Sequence, residues 1–414
     1  MDVVKILGLL FTASFLTAAC SPTSKTLDSV TAASTPECVG SSMVKNRFIV
    51  QWEDGTFSVE HAKDMDEFRQ TFVKDNLELI KHVDHDHRIQ LHQNVINESE
   101  IHTASTAVLN WGPKMIQADT LWSQNIQGAG VVVAVIDGMV DVNHPQLKPN
   151  ILVNPNEIPN NGIDDDGNGF IDDVYGVQIN KEVNDPVHNR HGSHVSGIIA
   201  ADSTAGPVTG VAPRAKILPA QFIGNDGGGA IGDAIIAMNY AASRGAKIMN
   251  LSWGGAPCLP TLAAAMNALS DKGILLISAA GNSGINVDLH PDYPSSFNLL
   301  NQINVAASTI DDFMISFSNF GLKKVHIAAP GVDILSTTPG NQTELMSGTS
   351  MAAPMTAGAA ALLWGAFPQA TSQQIKQAIL RGVDVSEGHI FEVATHGRIN
   401  VNKSFTELKK ILGL

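Results

Sequence analysis

The 414-residue chain carries 26 Lys and Arg against 40 Asp and Glu, a formal net charge of −14, and only 16% of its residues are charged. That excess of acid works against nucleic acid and anionic membrane surfaces as partners. The length allows one large domain with smaller additions and a substantial buried core.

Residues 1–20, MDVVKILGLLFTASFLTAAC, join one lysine, an apolar run and small residues ending at Cys20, the pattern of an export signal rather than a membrane span. No later stretch reaches the ~18 continuous apolar residues of a spanning helix. Residues 21–46 open rich in Ser, Thr, Ala and Pro and read as a tether. From Arg47 a strand pattern, RFIVQWEDG, is followed by the helix-like DMDEFRQTFVKDNLELI and by KHVDHDHRIQLHQ, making residues 47–105 a small α+β module, marginal alone. Six of the 14 histidines fall between His61 and His102. Their alternation in HVDHDH suggests a strand face, and without a cysteine or fourth ligand at a recognised spacing they read as solvated imidazoles rather than a zinc site.

From residue 108 the rhythm changes to short apolar runs, GVVVAVID, AKILPAQFI, AKIMNLSWGG, GILLISAAGN and INVAAS, alternating with helical segments such as IGDAIIAMNYAASRG. This predicts an α/β domain over 108–405, a mostly parallel central sheet with helices on both faces. Ligands of such sheets bind at the carboxyl ends of the strands. An amphipathic helix over 406–414 closes the chain.

Those strand ends carry the chemistry. Asp137 ends VVVAVID, His191 opens the small-residue helix HGSHVSGIIA, Asn282 ends SAAGN, and Ser350 stands in SGTSMAAP before a long apolar run. Taken singly, each has an ordinary explanation as a cap or turn residue. Together, an acid, an imidazole, an amide and a hydroxyl at the ends of one sheet suit nucleophilic catalysis, because a serine hydroxyl attacks poorly without a base and the base needs a fixed tautomer.

Five blocks in order, AVIDGMVDVNHPQL, HGSHVSGIIAADSTAGPVTGVAPRAKI, NLSWGG, SAAGNSG and SGTSMAAPMTAGAAALL, resemble the subtilisin-like serine peptidases over about 300 residues. The resemblance implies an endopeptidase acting on polypeptides through an acyl-enzyme, with Ser350 as nucleophile, His191 as base and then acid, Asp137 orienting the imidazole, and Asn282 donating to the oxyanion. It further implies that Ser252, Trp253 and Gly254 flank the first substrate pocket, and that Gly227 and Gly228 form the opposing edge. Asp292 in HPDYPSS then lies near that pocket's floor, favouring a basic side chain, or on its rim. The 47–105 module is similar to the family's inhibitory propeptides, so the chain is expected as a self-processing zymogen. Protonation of its histidines near pH 6 is expected to speed release. A monomer is expected.

Some positions depart from the family pattern. Gly138 and Met139 replace a hydroxyl residue and glycine, Arg190 stands before His191 where glycine is usual, and Met355 replaces a histidine. An inward Arg190 would disfavour the imidazolium. These departures suggest the alternative of a catalytically silent binding module on the same fold.

The insertion NNGIDDDGNGFIDDVYG resembles an acidic loop of some bacterial members. Asp164, Asp166, Asn168 and Asp172 fall at EF-hand-like positions for calcium, with Tyr175 where the bidentate acid belongs. The family's usual strong calcium site is compromised by Gln146 and Thr204, which stand in place of an Asp and an Asn. LTAAC resembles a lipoprotein lipobox, apart from Thr17 in place of an aliphatic residue. The product is therefore either a lipid-anchored precursor in the periplasm or outer membrane, or an extracellular protein after ordinary cleavage. Were Cys20 lipidated, processing near residues 100–108 would free the enzyme unless Cys38 and Cys258 were bonded. Cys258 is expected as a thiol.

Overall fold

The computed structural model describes residues 25–31, 43–91, 110–181 and 189–414. Its strands are β1 (Met43–Trp52), β2 (Phe57–His61), β3 (Ile80–Gln90), β4 (Val132–Asp137), β5 (Val177–Gln178), β6 (Lys216–Gln221), β7 (Gly228–Ala230) and β8 (Ile248–Leu251). There follow β9 (Leu275–Ala279), β10 (Gln302–Ser308), β11 (Ile327–Pro330), β12 (Ile334–Thr338), β13 (Gln342–Met346), β14 (Val383–Val385) and β15 (Gly397–Ile399). A nine-stranded sheet runs β14-β15-β11-β10-β9-β8-β4-β6-β5, parallel except for the β14 edge. Its strands are continuous apolar runs because helices cover both faces.

The chain leaves β4 for β5 at the sheet edge, then passes through the helix His191–Ala200 to β6 on one side of β4, and returns through the helix Ile231–Ser243 to β8 on the other. Connections thus diverge at β4 and open a crevice at its carboxyl end, where Asp137 sits. Ser252 follows β8 and Asn282 follows β9 at the same edge. The helix Thr349–Ala366 is apolar on all sides, and its residues from Met351 to Trp364 are buried. Its alanines and glycines let neighbouring backbone approach closely: a Cβ on Gly358 would lie 2.6 Å from Val211.

The N-terminal module has its own core of Phe48, Val50, Phe68, Val73, Ile80 and Val83, with Phe48 and Phe68 stacked at 4.4 Å. The tether reading of residues 21–46 needs correction. β1 begins at Met43, and Leu27–Val30 forms one helical turn whose Val30 joins that core. The helix expected over 64–80 shortens to Met65–Phe68 followed by a π-turn, Arg69–Val73. At the far end the last helix is Val401–Leu412, starting earlier than residue 406 because Asn400 caps it through Lys403 N–H. Among the described residues no helix is long and apolar enough to cross a membrane.

The module adds its sheet to the larger domain. β3 pairs antiparallel with β1 on one side and with β7 on the other, in the register Arg88↔Ala230, Ile89↔Gly229 and Gln90↔Gly228. Ile49 and Ile89 share an apolar cluster with Phe222 and Trp253. Alternate β3 residues face the domain, so the acids between the histidines, rather than the histidines themselves, make the buried polar contacts. Asp84 accepts from Thr261 N and Oγ1 (2.9 and 2.8 Å) at the start of the helix Pro260–Asp271. Asp86 accepts from Gly232 N (3.0 Å) at the start of the Ile231–Ser243 helix. One strand therefore caps two helices in another part of the chain, and carboxylates suit both the orphan N–H groups and the helix dipoles. Arg47 bridges Asp86 and Asp233 beside them. In a Ser350→Ala precursor, Asp84→Ala is expected to weaken docking by ~1–2 kcal/mol, the worth of a helix cap. Faster hydrogen exchange at Thr261 and neighbouring amides is the measurement.

Candidate active site

Asp137 is fully buried at the end of β4, and its Oδ1 lies 2.7 Å from His191 Nδ1. Gly138 N–H donates to the same oxygen at 2.6 Å, whereas Oδ2 is buried with no hydrogen-bond partner among the described residues. The carboxylate therefore fixes which imidazole nitrogen carries the proton and leaves Nε2 as the basic one. Gly138 suits its surroundings, since a Cβ there would fall 1.9 Å from Asn189 Oδ1 unless that amide moved. Asn189 in turn donates to the carbonyls of Ile223 and Gly224. The hydroxyl expected beside the acid is absent because an asparagine fills its place.

The other departures also resolve. Arg190 does not point at the imidazole; it pairs with Glu344 at 3.1 Å on the surface, which removes the expected objection to a charged His191. Met355 is buried and packs over Gly112, where a Cβ would be 2.4 Å from its methyl group. His194, one turn beyond His191, is pushed down to about 3 by burial, so it stays neutral.

Ser350 and Ser252 are clasped in both directions: Ser350 Oγ donates to Ser252 O (3.0 Å) and Ser252 Oγ to Ser350 O (2.9 Å). The second bond has a cause in the sequence. Pro354 lies four residues after Ser350 in the helix and has no N–H, so the Ser350 carbonyl lacks its helical donor and takes a side-chain one. Asn282 is equally constrained. Its Oδ1 accepts from Thr349 N and Oγ1 (2.9 and 2.8 Å), which orients the amide so that Nδ2 points the other way. A Cβ on Gly348 would lie 3.3 Å from Asn282 Nδ2 and 3.6 Å from Ser350 N. Asn282 Nδ2 and Ser350 N thus both border the space left by the missing side chain of residue 348.

Of the expected substrate segments, Gly227 and Gly228 are already engaged. Gly228 pairs with Gln90, and Gly227 O accepts from Leu91 N at 2.8 Å. Ser252 holds the Ser350-bearing helix as described. Trp253 departs from expectation, because its indole is 2% exposed and packs edge-to-face on Phe222, so the side chain belongs to the core. Gly254 lies beside Asp292, whose Oδ1 would be 3.1 Å from a Cβ at that position.

The acidic loop gathers a different set from the one its spacing suggested. Glu157, Asp164 and Asp166 bring carboxylate oxygens within 4.8 Å of one another. Glu157 is 5% exposed; its Oε1 accepts from Asp165 and Asp166 N–H groups while Oε2 is buried without a partner among the described residues. Asp172 turns away to accept from Asn161 and Gly162 N–H groups, and Asn168 Oδ1 accepts from Phe170 N. Glu157 was missed because it lies outside the spaced motif. The family's usual strong calcium site does not fit this chain: Gln146 is buried, and its amide donates to the carbonyls of Asp202 and Val208 (3.0 and 2.7 Å). Cys258 is half-buried and has no disulfide partner among the described residues, while Cys20 and Cys38 lie outside them.

The subtilase family profile matches residues 128–403. The chain is 36% identical over 298 residues to a thermophilic serine proteinase of Bacillus sp. (strain AK1), covering 72% of this chain and 67% of that one. It is 34% identical over 295 residues to thermitase of Thermoactinomyces vulgaris (71% and 95%) and 34% over 266 residues to subtilisin BL of Lederbergia lenta (64% and 88%). The chain belongs to the subtilase family and is a serine endopeptidase with that family's α/β fold. Gly348→Ala is expected to crowd the space between Asn282 and Ser350 and to lower kcat by ~10²-fold, a typical cost of displacing a positioned hydrogen-bond donor, with KM little changed. Gly138→Ser is expected to cost ~1–3 kcal/mol by overpacking against Asn189, seen as a lower Tm that Asn189→Gly restores.

Proposed function

We propose that the protein is an exported zymogen whose Ser350, His191 and Asp137 form the hydrolytic triad. The Ser350 hydroxyl leaves the Ser252 carbonyl for His191 Nε2, gives up its proton there and attacks the scissile carbonyl. Asp137 holds the imidazole through Nδ1 and stabilises the imidazolium that results. Negative charge developing on the carbonyl oxygen is met by Asn282 Nδ2 and Ser350 N–H. His191 then protonates the leaving amine, and water deacylates Ser350 by the same route. The observation that carries this reading is that Asn282 Nδ2 and Ser350 N border one space beside Gly348, at the same sheet edge as the Asp137–His191 pair.

The 47–105 module is the inhibitor of its own enzyme, although residues 92–109 lie outside the described part. It takes up the Gly227–Gly228 edge in the way an extended substrate would. Residues 1–20 direct export, ending either in lipidation of Cys20 or in ordinary signal cleavage. Glu157, Asp164 and Asp166 are the proposed calcium ligands, because their carboxylate oxygens gather within 4.8 Å of one another and Glu157 Oε2 has no donor among the described residues.

Acid has opposing effects on the module. Burial beside Phe48 pushes the His85 pKa below 6.5 despite Asp84, so the unfolded module takes up a proton that the folded one resists, and the fold weakens as pH drops beneath 6.5. Burial raises Asp86 from 3.8 to about 6, so from 6 downward it strengthens docking. Between these effects, release is expected to quicken just below pH 6.5, and His85→Gln to flatten that rise in a time course of precursor activation.

Expression of the precursor beside Ser350→Ala tests the main reading. Mass spectrometry should find self-processing in the first alone, and the variant should hydrolyse casein at least ~10⁴-fold more slowly. Glu157→Gln is expected to abolish a calcium-dependent rise in Tm that Asp172→Asn leaves in place.

A further inference from the structure

We propose that the outer face of the acidic loop, residues 153–175, is a docking surface that recruits polypeptide substrates by a basic amphipathic segment remote from the bond cut. The inference rests on the endopeptidase reading and adds a class of substrate. Among the described residues, five of the fifteen large apolar side chains left exposed fall in this one stretch: Val153, Ile158, Ile163, Ile171 and Tyr175, each between 46% and 61% exposed. The loop is built inside out. Its carboxylates turn back onto its own backbone: Asp164 accepts from the N–H groups of Asn168 and Gly169, Asp165 from Ile158, and Asp172 from Asn161 and Gly162. The isoleucines between those acids are left facing water. Asp165 Oδ2 also takes the Asn161 amide, so Ile158, Ile163 and Ile171 surround a single polar knot. Asn154 N–H donates to Val174 O at 2.7 Å, which sets Val153 and Tyr175 on neighbouring segments.

A clustered apolar surface marks an interaction site, whereas apolar residues scattered singly do not. Charge then selects the partner. Residues 149–180 hold six Asp and Glu and no Lys or Arg. Arg244 meets Asp173 from beneath at 2.7 Å, but among the described residues Asp165 and Asp172 accept only from neutral N–H groups. A divalent cation on Glu157, Asp164 and Asp166 leaves those two carboxylates in place. Lysine and arginine suit such a face, because their stems lie along isoleucine while their heads reach the acids. An anionic membrane is repelled by the same charge.

The face also lies within reach of the crevice. β5 follows the loop and pairs with β6 in the register Gln178↔Gln221, and Gln221 stands opposite Asp137 on β4. Three residues back from Gln178 and two strands across put Tyr175 about 15 Å from Asp137, since strands rise about 3.3 Å per residue and lie about 4.8 Å apart. A substrate therefore bridges the two places with about five extended residues.

Docking is read by fluorescence anisotropy on the full Ser350→Ala chain in calcium-containing buffer, with a labelled peptide of lysine and leucine, the leucines at helical spacing. Replacing its lysines by glutamate should weaken binding by about tenfold or more, and high salt should weaken it too. Ile158→Ser, Ile163→Ser and Ile171→Ser together should weaken it by about tenfold or more. Asp165→Asn keeps an oxygen for its two donors and should make the salt dependence shallower. In the self-processed enzyme, joining the same segment to a short cleavable peptide through about six glycine and serine residues should lower KM by about tenfold at unchanged kcat. The triple variant should remove that gain while cutting the bare peptide as before. Equal binding of the glutamate peptide, affinity unmoved by the triple variant, a KM unmoved by the added segment, or a preference for phosphatidylglycerol vesicles over the peptide overturns the assignment. A bare peptide left uncut defeats the hydrolytic reading instead, and the anisotropy measurement then decides the docking surface on its own.

Discussion

Asp137 ends the central strand with none of its surface in water, and a carboxylate in that position needs donors or a positive partner to remain charged. His191 Nδ1 and Gly138 N–H meet one of its oxygens. The neighbourhood is built around that need. The strand order splits at β4 and opens the crevice, the helix starting at His191 returns across it, and the Asn189 amide packs against residue 138 where a Cβ would otherwise lie. Breaking the pair by removing the imidazole would leave a charge buried alone, which costs far more than the pair itself contributes.

Around this fixed point the chain satisfies stranded backbone groups with side chains from distant segments. Pro354 deprives Ser350 O of its helical donor, and Ser252 supplies one. Two helices of the larger domain begin without side-chain caps of their own, and Asp84 and Asp86 on β3 serve instead. The N-terminal module is therefore both a strand laid along the glycine edge and a source of negative charge at two helix starts. Its small core would be a weak basis for binding without these contacts.

Much of this could be read from residue order. The apolar runs foretold the parallel sheet because strands buried on both faces have no polar alternation to hide. Asp137, His191, Asn282 and Ser350 stood out because each terminates or opens an element. What escaped was set by packing. HVDHDH drew attention to imidazoles, yet the pleat turns Asp84 and Asp86 toward the domain; the signal was present in the period of two. Glu157 sits seven residues before Asp164 and belongs to no spaced motif, and Asp172 fits the motif yet faces the other way. Trp253 lies in a segment read as a pocket wall, but an indole of that size finds more contact under the strand than beside it. Asn189 had no local pattern to betray it, since its role depends on the absence of a side chain 51 positions earlier in the chain.

Gln146 carries a consequence of its own. By holding the carbonyls of Asp202 and Val208, its carboxamide ties down the turn that leads back toward β6. Gly206 lies so close that a methyl group there would strike the amide oxygen at 2.4 Å. An amide cannot be chelated, diluted or exchanged for another ion. This corner of the enzyme is thus expected to keep its shape in calcium-poor water or beside a strong sequestrant, conditions in which a carboxylate at the same position would let the turn unravel and be digested.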